Sequence, residues 1–141
     1  MLLPDINVWL ALTFASHEHH RAAKQWYDSL VGEICFFSRI SQQGFLRLAT
    51  NTTVFGSEAL TPAAAWNKYD LMLSDPSIEY RDELAGIEVT WREITQQAAF
   101  SVSKWTDAYL AAFAKVAGLE IVTFDKGFAR FQDLKCTILS V

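Results

Sequence analysis

The stretch WTDAYLAAFAKVAGLEIVTFD, residues 105–125, constrains the fold of this chain more than any other. An apolar helical segment meets a glycine and turns at once into an apolar strand, one half of an α/β unit. A helix from about 107 to 117 is roughly 17 Å long at ~1.5 Å per residue. A strand over about 120–124 returns roughly 17 Å at ~3.3 Å per residue. Asp107 heads the helix and Asp125 follows the strand, so both carboxylates finish on one edge of the domain.

The rest of the chain repeats this alternation. Residues 2–4 read as a short strand ended by Asp5, and a helix begins at Asn7 and runs to Leu12. A helical face over 17–31 carries Ala22, Ala23, Trp26, Tyr27 and Leu30. A strand is expected at 34–37 and a helix at 40–50, followed by a loop with Asn51, Gly56 and Ser57. Thr61 caps a helix with Pro62 in its first turn, ending near Ser74. An edge strand at 78–80, a helix at 88–100 and a last strand at 136–141 complete the pattern. Short apolar strands between amphipathic helices specify an α/β fold: one domain over residues 1–141, with a central parallel sheet of about four to five strands and helices on both faces. In such a sheet the strand C-termini and the following helix N-termini share one edge, where ligands bind.

Composition narrows the function classes. A chain of 141 residues that is 51% hydrophobic and 20% charged buries a real core and is not disordered. Its apolar runs are too short to span a bilayer, and MLLPDINVWLAL, with an early Asp and no basic leader, does not read as a signal peptide. Cys35 and Cys136 lack CxxC spacing and read as reduced, buried thiols of a cytoplasmic protein. The net charge of −4 argues against broad electrostatic capture of nucleic acid, while leaving room for a local basic rim. Five Trp and ten Phe either fill the core or face a subunit or partner, and composition does not separate the two.

On the shared edge, Asp5, Asp107 and Asp125 converge with the amides Asn7 and Gln42. Each acid alone has a plain explanation as a helix cap or turn residue, but Ser or Thr would serve those caps equally well. Three carboxylates together raise one another's pKa and destabilise the fold unless a cation sits between them. Oxygen donors with room for water suit Mg²⁺ or Mn²⁺, and no Cys/His cluster has zinc spacing.

These residues carry a resemblance. The DIN after the first strand, the ISQQGFLRLATN helix, the TDAYLAAFA helix start and the VTFDKGFARF segment resemble a PIN-domain protein, in particular the toxin ribonucleases of VapBC-type toxin–antitoxin pairs. The resemblance runs through the whole chain in order and spacing. It implies a PIN-like fold and a Mg²⁺- or Mn²⁺-dependent endoribonuclease. Asp5, Asp107 and Asp125 would be the catalytic, metal-binding acids, and the products would carry a 5′-phosphate and a 3′-hydroxyl. It also implies structured RNA such as tRNA or rRNA as substrate, a cognate antitoxin as inhibitor, and a homodimer. Family members often carry Glu where this chain has Gln42, a departure that removes one negative charge. Asn7 would hold Asp5 or a water in place.

Among the other polar residues, Thr106 is expected to cap the helix before Asp107, and Thr123 to brace the acids from the sheet end. Arg39, Lys104, Lys126 and Arg130 are candidate RNA phosphate contacts. Arg47 is expected to pair with an acid or a carbonyl. His17, His19 and His20 are expected on a polar face away from the acids. Two other readings stay open. A phosphotransfer domain would also place an Asp after an early strand beside Mg²⁺, though a phosphatase would want DxD where this chain has DIN. A non-catalytic RNA- or partner-binding module with a decayed acid cluster would count Gln42 as its first loss.

Overall fold

The computed structural model describes all residues, Met1–Val141. Five strands, β1 (Leu2–Pro4), β2 (Cys35–Phe37), β3 (Ile78–Tyr80), β4 (Glu120–Thr123) and β5 (Cys136–Ile138), form one sheet in the order β3-β2-β1-β4-β5. Every pairing is parallel. Seven α-helices surround it: α1 (Ile6–Thr13), α2 (His20–Asp28), α3 (Arg39–Ala49), α4 (Thr52–Phe55), α5 (Pro62–Leu73), α6 (Ile87–Thr95) and α7 (Trp105–Ala117). No helix is long and apolar enough to cross a membrane.

Successive strand residues point to opposite faces, so each buried strand feeds two cores. Leu2, Cys35, Phe37 and Val122 join Trp9 of α1, Phe45 of α3 and Tyr69 of α5 on one side. Leu3, Phe36 and Ile121 join Ile87 and Ile94 of α6 and the alanine-rich face of α7 on the other. The Trp9 and Phe37 rings stack with centroids 3.9 Å apart, locking α1 onto β2. Gly118 ends α7 in the left-handed region (φ +69°), as the abrupt helix-to-strand turn requires.

Strand order positions the site. From β1 the chain first builds outward through β2 and β3, then returns to add β4 and β5 on the other side of β1. The β1/β4 junction is the point where the winding reverses, and such a reversal opens a crevice at the strand C-termini. Asp5 follows β1 and Asp125 lies just past β4 there.

Several boundaries differ from expectation. The helix expected from 17 starts at His20, because His17 and His19 form a turn whose backbone N–H donates to the His17 ring (3.1 Å). The helix expected to reach 100 ends at Thr95, and β5 stops at Ile138. The expected loop after Asn51 contains α4, since the Asn51 side chain accepts from Thr53 N–H (2.8 Å) and caps a single turn. Arg47 is exposed and makes no ion pair, so its expected acid partner is absent.

Candidate active site

Thr123, the last residue of β4, ties the crevice together. Its fully buried hydroxyl donates to Asp5 Oδ2 (2.9 Å) and accepts from Asn7 Nδ2 (3.2 Å) and from the Asp125 backbone N–H (3.0 Å). One donor and two acceptor positions exhaust what a hydroxyl offers. Asn7 closes a second link, its Oδ1 accepting from Phe124 N–H (3.4 Å). The ends of β1 and β4, more than a hundred residues apart in sequence, are thus joined side chain to side chain.

Asp5 is the N-cap of α1, and its Oδ1 accepts from Ile6 N–H (2.7 Å). It is only 8% exposed. Burial raises its carboxyl to about 6, the bonds from Thr123 and Ile6 oppose this, and Asp107 and Asp125 push it further up. Asp125 caps the 3₁₀ turn Lys126–Arg130, its Oδ1 accepting from Gly127 N–H (2.7 Å). Asp107 sits in the first turn of α7, its carboxyl raised by burial, lowered by Lys104 and raised again by Asp125. The fold therefore gathers three mutually repelling carboxylates.

The nearby cation is Lys104. Its Nζ lies 3.4 Å from Asp107 Oδ2 and 3.5 Å from Asp125 Oδ2, and the two acids raise its pKa, Asp125 most. Lys104, expected as a phosphate contact, thus pairs with two of the acids. The sequence signal was available, because Lys104 and Asp107 have the i,i+3 spacing that lets helical side chains meet. No three His, Cys, Asp or Glu side chains are grouped to hold a metal ion as they stand. The donor chemistry nonetheless fits a hard divalent cation. Three carboxylates gather beside one ammonium, which pairs with two of them, and the most buried acid is held above its ordinary range by burial first and by the other two acids after it.

The other expected site residues make no hydrogen bond or ion pair to the three acids. The Gln42 side chain accepts from Arg39 Nη1 (2.6 Å) and makes no hydrogen bond to the acids. The two are i,i+3 neighbours in the first turn of α3, so they meet on one face. Arg39 also lies over the Tyr80 ring, 4.7 Å from its centroid. Thr106 does not cap α7. The helix starts at Trp105 straight out of the 3₁₀ turn Val102–Lys104, and Thr106 is exposed without a side-chain bond. Lys126 and Arg130 are exposed on the turn after Asp125 and form no ion pair. The histidines are not all remote, because the His19 ring stacks on Phe124 (4.5 Å between centroids), next to Asp125.

Comparison with known proteins bears on the fold and the family. The PIN domain family model matches residues 2–134. Ribonuclease VapC41 of Mycobacterium tuberculosis is 40% identical over 145 aligned positions, covering 99% of both chains. Among solved structures, the VapBC2 complex of Rickettsia felis bound to a promoter DNA fragment contains a chain that superposes with a TM-score of 0.75 at 15% identity, covering 99% of this chain and 98% of that one. VapC20 of M. tuberculosis, described as a sarcin-ricin loop cleaving toxin, superposes with a TM-score of 0.68 at 18% identity, covering 96% and 99%. With a family model over nearly its whole length and a full-length relative at this identity, the chain belongs to the PIN domain family, among the relatives of the VapC ribonucleases.

Proposed function

We propose that this protein is the toxin of a type II toxin–antitoxin pair. It is an endoribonuclease that hydrolyses RNA phosphodiester bonds with the help of Mg²⁺ or Mn²⁺. The observation that carries the reading is the convergence of Asp5, Asp107 and Asp125 at the β1/β4 crevice in excess over their one counter-cation. The relatives' ribonuclease names and their toxin–antitoxin complexes support the same reading.

Asp5, Asp107 and Asp125 would hold the ion. When bound, it supplies Lewis-acid chemistry, making water a better nucleophile and neutralising charge that develops on the scissile phosphate. The chain's own residues supply position. Thr123 fixes Asp5 Oδ2, Ile6 N–H fixes Oδ1, and Gly127 N–H fixes Asp125, so the acids are held before substrate arrives. No side chain forms a covalent intermediate. Lys126 and Arg130 on the turn after Asp125, and Arg39 steadied by Gln42 and Tyr80, would take RNA phosphates, which Lys and Arg bind without reading sequence. RNA preference would then rest on shape and the 2′-hydroxyl. A cognate antitoxin would silence the enzyme, which would act as a homodimer in the cytoplasm on tRNA or rRNA.

The test is cleavage of purified tRNA and rRNA by antitoxin-free protein with Mg²⁺, with Mn²⁺ and with EDTA, beside Asp107→Asn. Discrete fragments that require the ion and vanish in the variant are expected. Fragments that persist in EDTA or in Asp107→Asn would overturn the assignment. One observation favours a second reading, a non-catalytic RNA-binding module: the side chain at position 42 is engaged by Arg39 and not by the acids. RNA that binds in EDTA and is never cut with either ion would select that module.

A further inference from the structure

Lys104 is the charge that lets Asp107 and Asp125 coexist. Its ammonium sits almost equidistant from the two carboxylates, at 3.4 and 3.5 Å. Both contacts are longer than a well-formed charged hydrogen bond of about 2.7–2.9 Å. It is shared between the acids and locked to neither, and the side chain is 40% exposed, so it can leave without unpacking the fold.

A second observation concerns the backbone beside the carboxylate that Lys104 shares. Gly127 has no left-handed backbone that would demand glycine. A Cβ added there would lie 3.6 Å from Lys104 Nζ and 3.0 Å from Asp125 Oδ1. The glycine borders the space that the ammonium and the Asp125 carboxylate share. Asp5 has no such ion pair, since the Lys104 ammonium pairs with Asp107 and Asp125.

Building on the metal-dependent reading above, we propose that Lys104 is a built-in counter-cation that holds Asp107 and Asp125 in place until a divalent ion displaces it. Lys104 thereby sets the ion concentration at which the site fills. Asp107 and Asp125 would then hold the ion, whose charge would replace that of the ammonium, and the long, half-exposed Lys side chain would swing to solvent.

The test uses the full chain without RNA. Mn²⁺ affinity is measured by calorimetry for wild type, Lys104→Met and Lys104→Arg, and melting is followed in EDTA. Lys104→Met keeps most of the stem and removes the competing charge. Mn²⁺ should bind it roughly five- to tenfold more tightly, the scale of a partly exposed charge pair. The same variant should melt lower than wild type in EDTA and gain more from added Mn²⁺, while Lys104→Arg should behave as wild type in both. Equal or weaker Mn²⁺ binding by Lys104→Met than by wild type overturns the role of Lys104 alone. Absence of Mn²⁺ binding by wild type and variant alike overturns the metal-dependent reading together with this one.

Discussion

At the scale of single residues, the site depends on one hydroxyl. Thr123 Oγ1 satisfies Asp5 Oδ2, Asn7 Nδ2 and the Asp125 N–H in a fully buried position. Thr123→Val preserves the shape and removes all three bonds; the buried Asp5 oxygen is stranded at about 1–3 kcal/mol, while the part-buried Asn7 amide and Asp125 N–H lose less because water reaches them. Chemical denaturation should show a loss of about 2–4 kcal/mol, with cleavage falling as Asp5 and Asp125 lose their common anchor. Thr123→Ser keeps the hydroxyl and should lose no more than about 1.5 kcal/mol, the scale of one buried methyl group. Equal losses in the two variants would show that packing and not the hydroxyl matters here.

At the scale of elements, α1 carries Asp5 at its cap, and α3 holds α1 against the sheet through a close approach at Gly44. A Cβ there would fall 2.2 Å from Ile6 Cδ1 and 2.9 Å from Ile6 Cγ1. Gly44→Ala adds up to about 1 kcal/mol of helix propensity but forces aside the partly buried Ile6 side chain, Cγ1 as well as its Cδ1 tip, at a cost of about 1–3 kcal/mol. The clash should win. The variant is expected to be less stable than wild type by denaturation. Its cleavage should also drop, because Ile6 donates the N–H that fixes Asp5 Oδ1. A Gly44→Ala protein as stable and active as wild type would mean that α1 can shift freely under its acid.

At the scale of the whole molecule, the acid cluster makes stability depend on pH and on ions together. Asp5 has a folded pKa near 6 against an ordinary 3.8, because burial disfavours its charge. The folded state therefore holds this proton more tightly than the unfolded state does. Stability is fully supported below about pH 4 and falls as pH rises to about 6, by on the order of 3 kcal/mol from this group. Asp107, raised by burial, works in the same direction. Asp75, held low first by the Ser77 N–H, works the other way, but only below the ordinary carboxylate range. His17, lowered by burial, opposes the fall just below its ordinary 6.5. The comparison that isolates Asp5 is wild type against Asp5→Asn in EDTA from pH 4.5 to 7.5. The wild type should lose stability relative to the variant as pH rises, and added Mn²⁺ should reverse that loss at pH 7 far more than at pH 5. Parallel curves for the two proteins would place the strain outside Asp5.

The chain's local patterning by itself determined the class of fold and much of the site. Strand and helix periodicities and the glycine at 118, which turns α7 directly into β4, put Asp107 and Asp125 on one edge, because those properties are set over a few residues at a time. Tertiary structure alone decided that β4 pairs with β1. Several short apolar strands could have been that neighbour, and only non-local packing on both faces selects one; with it came the Thr123 bridge between Asp5 and Asp125. Ångström-scale side-chain geometry then sent Lys104 to the acids and Gln42 to Arg39. Residue type and spacing permitted those pairings without choosing them, because which charge meets which depends on where whole helices dock.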